Sequence, residues 1–213
     1  MAGAINIGIL GGMFDPVHNG HLRMALVVQD MLDLDQVRLI PCHQPAHREP
    51  AIASAAQRLA MLHLSVAGEP QLLVDDRECQ RPGPSYLFDT LSSLKQEMPA
   101  AHLFFILGVD AFNTLPHWHR WREIFALAHL VVIARPGWQI QAEGLLQQAL
   151  EQRLVQEPAQ LVEAEAGRIY VCKLEPLMIS SSQIRDQIRQ QKSPRYLLPD
   201  SVLEYIRQHK LYS

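Results

Sequence analysis

The stretch INIGILGGMFDPVHNGHLRMAL, residues 5–26, constrains the fold more than any other part of the chain. Ile5–Leu10 is a short Ile-rich run, long enough for one buried strand. Gly11 and Gly12 are expected to break it with a tight turn in which backbone can approach a ligand closely. Asp15-Pro16 continues the loop, and Leu22, Ala25, Leu26, Val28 and Met31–Leu32 predict an amphipathic helix with Asn19 as its N-cap. Strand, glycine turn and helix together present amide N–H groups and the positive end of a helix to an anion. His18 then falls just before the helix and His21 in its first turn, so both imidazoles can face that anion. The loop is neither G-x-x-x-x-G-K-[ST] nor G-x-G-x-x-G. Two histidines alone would read as surface polar groups; their setting makes this a polyphosphate site.

The rest of the chain alternates strand and helix signals. Strands are expected at Val37–Ile40, Gln71–Val74, His102–Leu107, Leu130–Ala134 and Arg168–Lys173. Helices are expected from a Ser54 cap through Val66, then at Tyr86–Glu97, Trp121–Ala128, 142–156, Ser180–Gln190 and Asp200–Gln208. This order predicts an α/β fold: a single Rossmann-like domain spanning 1–213, with a parallel sheet flanked by helices and the helices from about 179 packed on the same domain.

Composition narrows the function. A chain of 213 residues with 48% hydrophobic content can build one substantial core. A formal charge of −3 argues against a general nucleic-acid surface. The N-terminus MAGAIN carries no basic segment followed by an apolar one, and no apolar run is long enough for a membrane span. Three scattered cysteines, Cys42, Cys79 and Cys172, without C-x-x-C spacing, read as free thiols of a cytoplasmic protein.

In parallel sheets, ligands bind beyond the carboxyl ends of the strands, so the loops after strands are the candidates. Pro45-Ala46-His47-Arg48 offers basic groups, arginine with a fork suited to phosphate oxygens. Gly83-Pro84-Ser85 precedes a helix whose first amides, around Tyr86 and Leu87, are free to hold an anion. Gly108 and Asp110 follow a buried strand, where a carboxylate suits a ribose. Arg135 turns the chain after another strand. Ile179, Ser180, Ser181 and Arg185 combine helix-end amides, hydroxyls and a guanidinium in one anion-binding set. A His117/His119 pair lacks a third ligand, so no resident metal site is expected.

These segments resemble, in order, the motifs of the nicotinate and nicotinamide mononucleotide adenylyltransferases of the nucleotidyltransferase superfamily. GGMFDPVHNGH is similar to GGxFDPxHxGH, and the Pro45 segment to PxxxPH(K/R). ECQRPGPSYLFDTL resembles ExxRxGPSYTxDTL, FILGVDAFNTLPHWHRW resembles FIxGxDxxxxLxxWxxW, and ISSSQIR resembles ISSTxIR. The resemblance implies transfer of an adenylyl group from ATP, carried with Mg²⁺, to nicotinate mononucleotide. By it, His18, His21 and Arg185 are catalytic. ATP is held by Gly11, Gly12, Met13, Phe14, His18, His21, Gly108, Asp110, Ile179, Ser180, Ser181 and Arg185. The nucleotide substrate is held by His47, Arg48, Ser85, Tyr86, Leu87, Asp110, Trp118, His119 and Arg135, with Trp118 stacking on the pyridine. Three positions depart from the family: Met13 where relatives often have Thr or Ser, Leu87 for Thr, and His119 for Tyr. Nicotinamide mononucleotide, phosphopantetheine and an inactive nucleotide-binding regulator remain as rival readings. Aminoacyl-tRNA synthetases share an HxGH loop, but this chain shows no KMSKS-like segment.

Overall fold

The computed structural model describes residues 4–45, 49–134, 139–174 and 177–213. Along the chain run β1 (Asn6–Gly12), α1 (Asn19–Met31), β2 (Gln36–Pro41), α2 (Ala55–Ser65), β3 (Leu72–Val74), α3 (Arg77–Gln80), α4 (Leu87–Glu97) and β4 (His102–Gly108). There follow α5 (Val109–Asn113), α6 (Trp121–Ile124), β5 (His129–Ala134), α7 (Gly144–Arg153), β6 (Leu154–Val155), β7 (Ile169–Lys173), α8 (Ser181–Arg189) and α9 (Asp200–Gln208). The strands form one seven-stranded sheet in the order β3-β2-β1-β4-β5-β7-β6, the helix-flanked α/β sheet that the alternation predicts. By contact density the described residues group into two compact units.

The first unit comprises described residues of 1–10, 28–37 and 86–175. Its strands pair in parallel, with Asn6 opposite His102, Phe104 opposite His129 and Leu130 opposite Ile169. Strands buried on both faces read as continuous apolar runs, which is why Leu103–Leu107 and Leu130–Ile133 are all inside. Gly8 allows close packing: a Cβ there would stand 2.9 Å from Leu34 Cδ1 and 3.0 Å from Val37 Cγ2. The helix expected over 142–156 is shorter. It stops at Arg153, and Leu154 and Val155 instead pair with β7 opposite Ile169 and Tyr170. The gain is burial of Val155, a β-branched side chain suited to a strand. The helix expected at Trp121–Ala128 likewise closes at Ile124.

His129 is fully buried at the start of β5, its ring stacked on Phe104 at 5.1 Å between centroids. Its Nδ1 accepts the Arg168 N–H at 3.3 Å. Burial, and then the neighbouring His102, push its pKa from 6.5 down to about 4.

The second unit comprises described residues of 11–27, 38–85 and 176–213. Ser54 caps α2 as expected, accepting from Gln57 N–H while the Gln57 side chain accepts from Ser54 N–H. The buried face of α2 is Arg58, Met61 and Leu62. Helix α9 buries Val202, Leu203 and Ile206 and is tied to α2 by the Ser201 hydroxyl on the Leu64 carbonyl at 3.1 Å.

Two local expectations are corrected. Gly11 and Gly12 do not break β1. The strand runs through them, and the Gly12 carbonyl accepts Cys42 N–H at 2.9 Å. Beyond the strand, Phe14 has a φ of 49°, in the left-handed region. Asn19 is the first residue of α1, not its cap; its side chain donates to the Tyr196 carbonyl at 2.9 Å. His18 takes the preceding position, and its carbonyl accepts His21 N–H at 2.9 Å to start the helix.

Candidate active site

The second unit gathers one set of predicted residues around the Met13–His18 loop. His18 is 5% exposed and lies parallel to His21, with centroids 3.7 Å apart and planes at 23°. The Phe14 ring meets His21 edge-on at 5.0 Å. Gly20, between the histidines, leaves room for the ring: a Cβ there would stand 3.0 Å from His18 Nδ1, a tight contact. The spacing H-N-G-H is thus a packing solution as well as a chemical one.

Behind the loop stands a residue that the sequence reading did not single out. Arg58, 1% exposed, donates to the carbonyls of Met13 at 2.8 Å, Ala53 at 3.3 Å and His43 at 3.4 Å. In a trans peptide the carbonyl and the following N–H point in opposite directions. Arg58 therefore aims the Phe14 N–H away from itself, which suits the expectation that amides near Phe14 hold phosphate even though Met13 has no hydroxyl. The signal was present: Arg58 shares a helical face with Met61 and Leu62, and a charge on an apolar face calls for buried partners.

Helix α8 brings the third functional group. Ser180 caps it, accepting Gln183 N–H at 3.2 Å. The Ser181 hydroxyl donates to the Pro16 carbonyl at 2.9 Å, and Arg185 Nη1 to the Asp15 carbonyl at 2.7 Å. Arg185 Nε, though buried, has no hydrogen-bond partner among the described residues. A buried cationic donor left over on the loop that leads to His18 is what an anion would satisfy. Ile179 is half-buried at the approach to this helix.

Ser85 faces the 43–45 loop. Its amide donates to the Gln44 carbonyl at 2.8 Å, and its hydroxyl accepts His43 N–H at 3.0 Å. That amide is therefore spent, and it is not one of the donors expected to meet a carboxylate. His47, Arg48 and Arg135 lie outside the described residues.

The first unit holds the remaining candidates. Helix α4 starts after Tyr86 with no side-chain cap, so its first-turn amides from Leu87 onward are not covered by one. The Tyr86 ring sits 4.4 Å from that of His119, tilted by 31°. Trp118, half-buried, meets Phe105 edge-on at 6.1 Å. Asp110 lies in the first turn of α5 and curls over Gly108, where a Cβ would be 2.5 Å from Asp110 Oδ1. Gly108 is needed for that approach.

Among the described residues, no group of three or more His, Cys, Asp or Glu side chains is arranged to hold a metal ion. No helix among them is long and apolar enough to cross a membrane.

A parallel sheet whose first strand feeds a histidine loop lined with phosphate-type donors defines a nucleotide-binding protein. Residues 9–187 match the family model described as cytidylyltransferase-like. The chain is 47% identical over 97% of its length to a protein of Methylococcus capsulatus named "Probable nicotinate-nucleotide adenylyltransferase", 99% of which is covered. A protein of the same name from Hahella chejuensis is 48% identical over 97% of this chain and 95% of its own. In fold, the chain is similar to a Plasmodium falciparum nicotinic acid mononucleotide adenylyltransferase complexed with NaAD, with a TM-score of 0.75 and 17% identity over 98% of this chain and 97% of that one. The chain belongs to the nicotinate-nucleotide adenylyltransferase family of nucleotidyltransferases.

Proposed function

We propose that this chain, acting as one nucleotidyltransferase domain over 1–213, transfers the adenylyl group of ATP to nicotinate mononucleotide. The products are nicotinate adenine dinucleotide, a precursor of NAD, and pyrophosphate. An oxygen of the mononucleotide's 5′-phosphate attacks the α-phosphorus, a P–O bond forms there, and the bond to the bridging oxygen of the β-phosphate breaks. The nucleophile is already anionic, so no side-chain base is required. What remains for the protein is positioning and charge stabilisation.

One observation carries this reading: His18, His21 and Arg185 converge on a single loop, with a buried Arg185 donor left to spare. His18 meets the α-phosphate, where charge grows, and His21 and Arg185 meet the departing pyrophosphate. The loop amides from Gly11 to Phe14 and the α8 start at Ile179–Ser181 complete the triphosphate contacts. The donor set is cationic and the Asp15 carboxylate is occupied by protein donors, so magnesium enters as part of the MgATP substrate and keeps mostly water ligands. Gly108 and Asp110 serve ribose. Tyr86, Leu87, Trp118 and His119, with Ser85, His47, Arg48 and Arg135, serve the pyridine nucleotide, the amides of α4 receiving its carboxylate. Recognition by N–H donors favours the acid over the amide. A cytoplasmic setting suits the three free cysteines, and no nucleic acid takes part.

The test is pyrophosphate release from MgATP with nicotinate or nicotinamide mononucleotide. A strong preference for the acid is expected. Equal rates would refute the carboxylate assignment, and turnover only with phosphopantetheine would refute the substrate class.

A further inference from the structure

Tyr212 is a buried aromatic residue, 6% exposed, whose backbone φ of 65° lies in the left-handed region that bulky side chains rarely adopt. A residue held in such a conformation is held there by its surroundings. Its hydroxyl donates to Asp15 Oδ1 at 2.7 Å. Asp15, 5% exposed, also accepts Ile52 N–H at 2.7 Å on Oδ2 and Ala53 N–H at 3.1 Å on Oδ1. The same residue's backbone carbonyl receives Arg185, and the next carbonyl, of Pro16, receives Ser181. Asp15 is therefore the node where the start of α2, helix α8 and residue 212 all meet the histidine loop. Its carboxylate is taken up by three donors and serves to fix backbone. Burial, and then hydrogen bonding to the Asp15 carboxylate, push the Tyr212 hydroxyl well above the usual tyrosine range, so it remains a donor at every working pH.

We propose that Tyr212 is a positioning residue for adenylyl transfer: through Asp15 it fixes the Met13–His18 loop and the carbonyl on which Arg185 rests. The donors that meet polyphosphate are then set partly from the far end of the chain. The inference rests on the reading of that loop and Arg185 as the phosphate site.

The test compares wild type with Tyr212→Phe, which keeps the ring and removes the hydroxyl, with Asp15→Asn, and with the double variant. Tyr205→Phe, on the half-buried side of α9, is the control expected to match wild type. Binding of inorganic tripolyphosphate reads the site without turnover; KM for ATP and for nicotinate mononucleotide and the melting temperature complete the set. Tyr212→Phe should raise the tripolyphosphate Kd and the KM for ATP about five- to tenfold, with the KM for the mononucleotide within about twofold. Loss of folded protein alone would lower the rate and leave both KM values in place. In the Asp15→Asn background the hydroxyl should add nothing further, as expected for two groups acting as one link. A lower melting temperature with unchanged Kd and KM for ATP overturns the proposal. If Tyr212→Phe does not fold, Asp15→Asn decides: an unchanged Kd and KM for ATP there overturns it equally. Wild type that binds tripolyphosphate but does not use nicotinate mononucleotide refutes the substrate reading alone, and wild type that does not bind it overturns both.

Discussion

His129 should make the stability of this protein fall steeply in mild acid, by an amount that the structure allows to be worked out. The folded pKa is pushed down to about 4 from 6.5 by burial first and by His102 second, with smaller contributions from Lys95 and Arg168. Above pH 6.5 the ring is neutral in both states and pH has no effect through it. Below 6.5 the unfolded chain takes up the proton first, so stability is lost as pH falls and the loss levels off near pH 4. With 1.36 kcal/mol per unit, the loss relative to pH 7 is about 2 kcal/mol at pH 5 and about 3 kcal/mol at pH 4. His129→Asn retains an acceptor for the Arg168 N–H and cannot titrate. Its absolute stability should be lower, from the lost contact with Phe104, but its pH dependence should be flatter. Urea unfolding followed by tryptophan fluorescence at pH 7, 6, 5 and 4 gives the difference between the two proteins, in which all other titrations cancel. A gap that closes by about 2–3 kcal/mol between pH 7 and pH 4 is expected. A constant gap would refute a buried, neutral histidine.

The proposed site gives three further expectations. His18→Ala should lower kcat about 10²–10³-fold, the scale of losing one preorganised donor, with the circular dichroism spectrum unchanged; a loss below tenfold would remove its role at the α-phosphate. Arg58→Met should destabilise the protein by about 3 kcal/mol, since carbonyls of Met13, Ala53 and His43 lose a charged donor, and an unchanged urea midpoint would contradict that. Leu87→Thr returns a hydroxyl to the first turn of α4 and should raise acid-over-amide selectivity by about fivefold, the worth of one hydrogen bond; competition between the two mononucleotides reads it directly.

Features written in local sequence were legible. Continuous apolar runs marked β4 and β5, and Ser54 and Ser180 marked helix starts because a cap is a short-range chemical event. The H-N-G-H spacing announced two imidazoles at one loop–helix junction. What depends on distant partners was not legible. Gly11 and Gly12 stay in the strand because Cys42, some thirty positions away, completes the ladder there. Asn19 forgoes capping because Tyr196 offers its side chain a carbonyl. Leu154 and Val155 leave a helical stretch because an edge of β7 stands open to them. Asp15 reads locally as one half of a loop turn; that it gathers donors from residues 52, 53 and 212 is visible only in three dimensions.

These distant partners have one chemical consequence. A reaction whose nucleophile is already a phosphate oxygen gains little from proton transfer, so its acceleration must come from donors that do not have to reorganise when charge moves. A loop is a poor place for such donors unless something holds it. Here Arg58 holds the Met13 carbonyl, Tyr212 and two amides hold the Asp15 carboxylate, and Ser181 and Arg185 hold the two carbonyls that follow. Arg58 contributes twice under the proposed function, because its buried guanidinium lies on the inner side of the loop whose outward amides that proposal assigns to the triphosphate. Removing it should therefore weaken binding of tripolyphosphate beyond what the loss of stability explains. An Arg58→Met protein that binds tripolyphosphate like wild type at a temperature where it is fully folded would show that the loop holds its shape without that support.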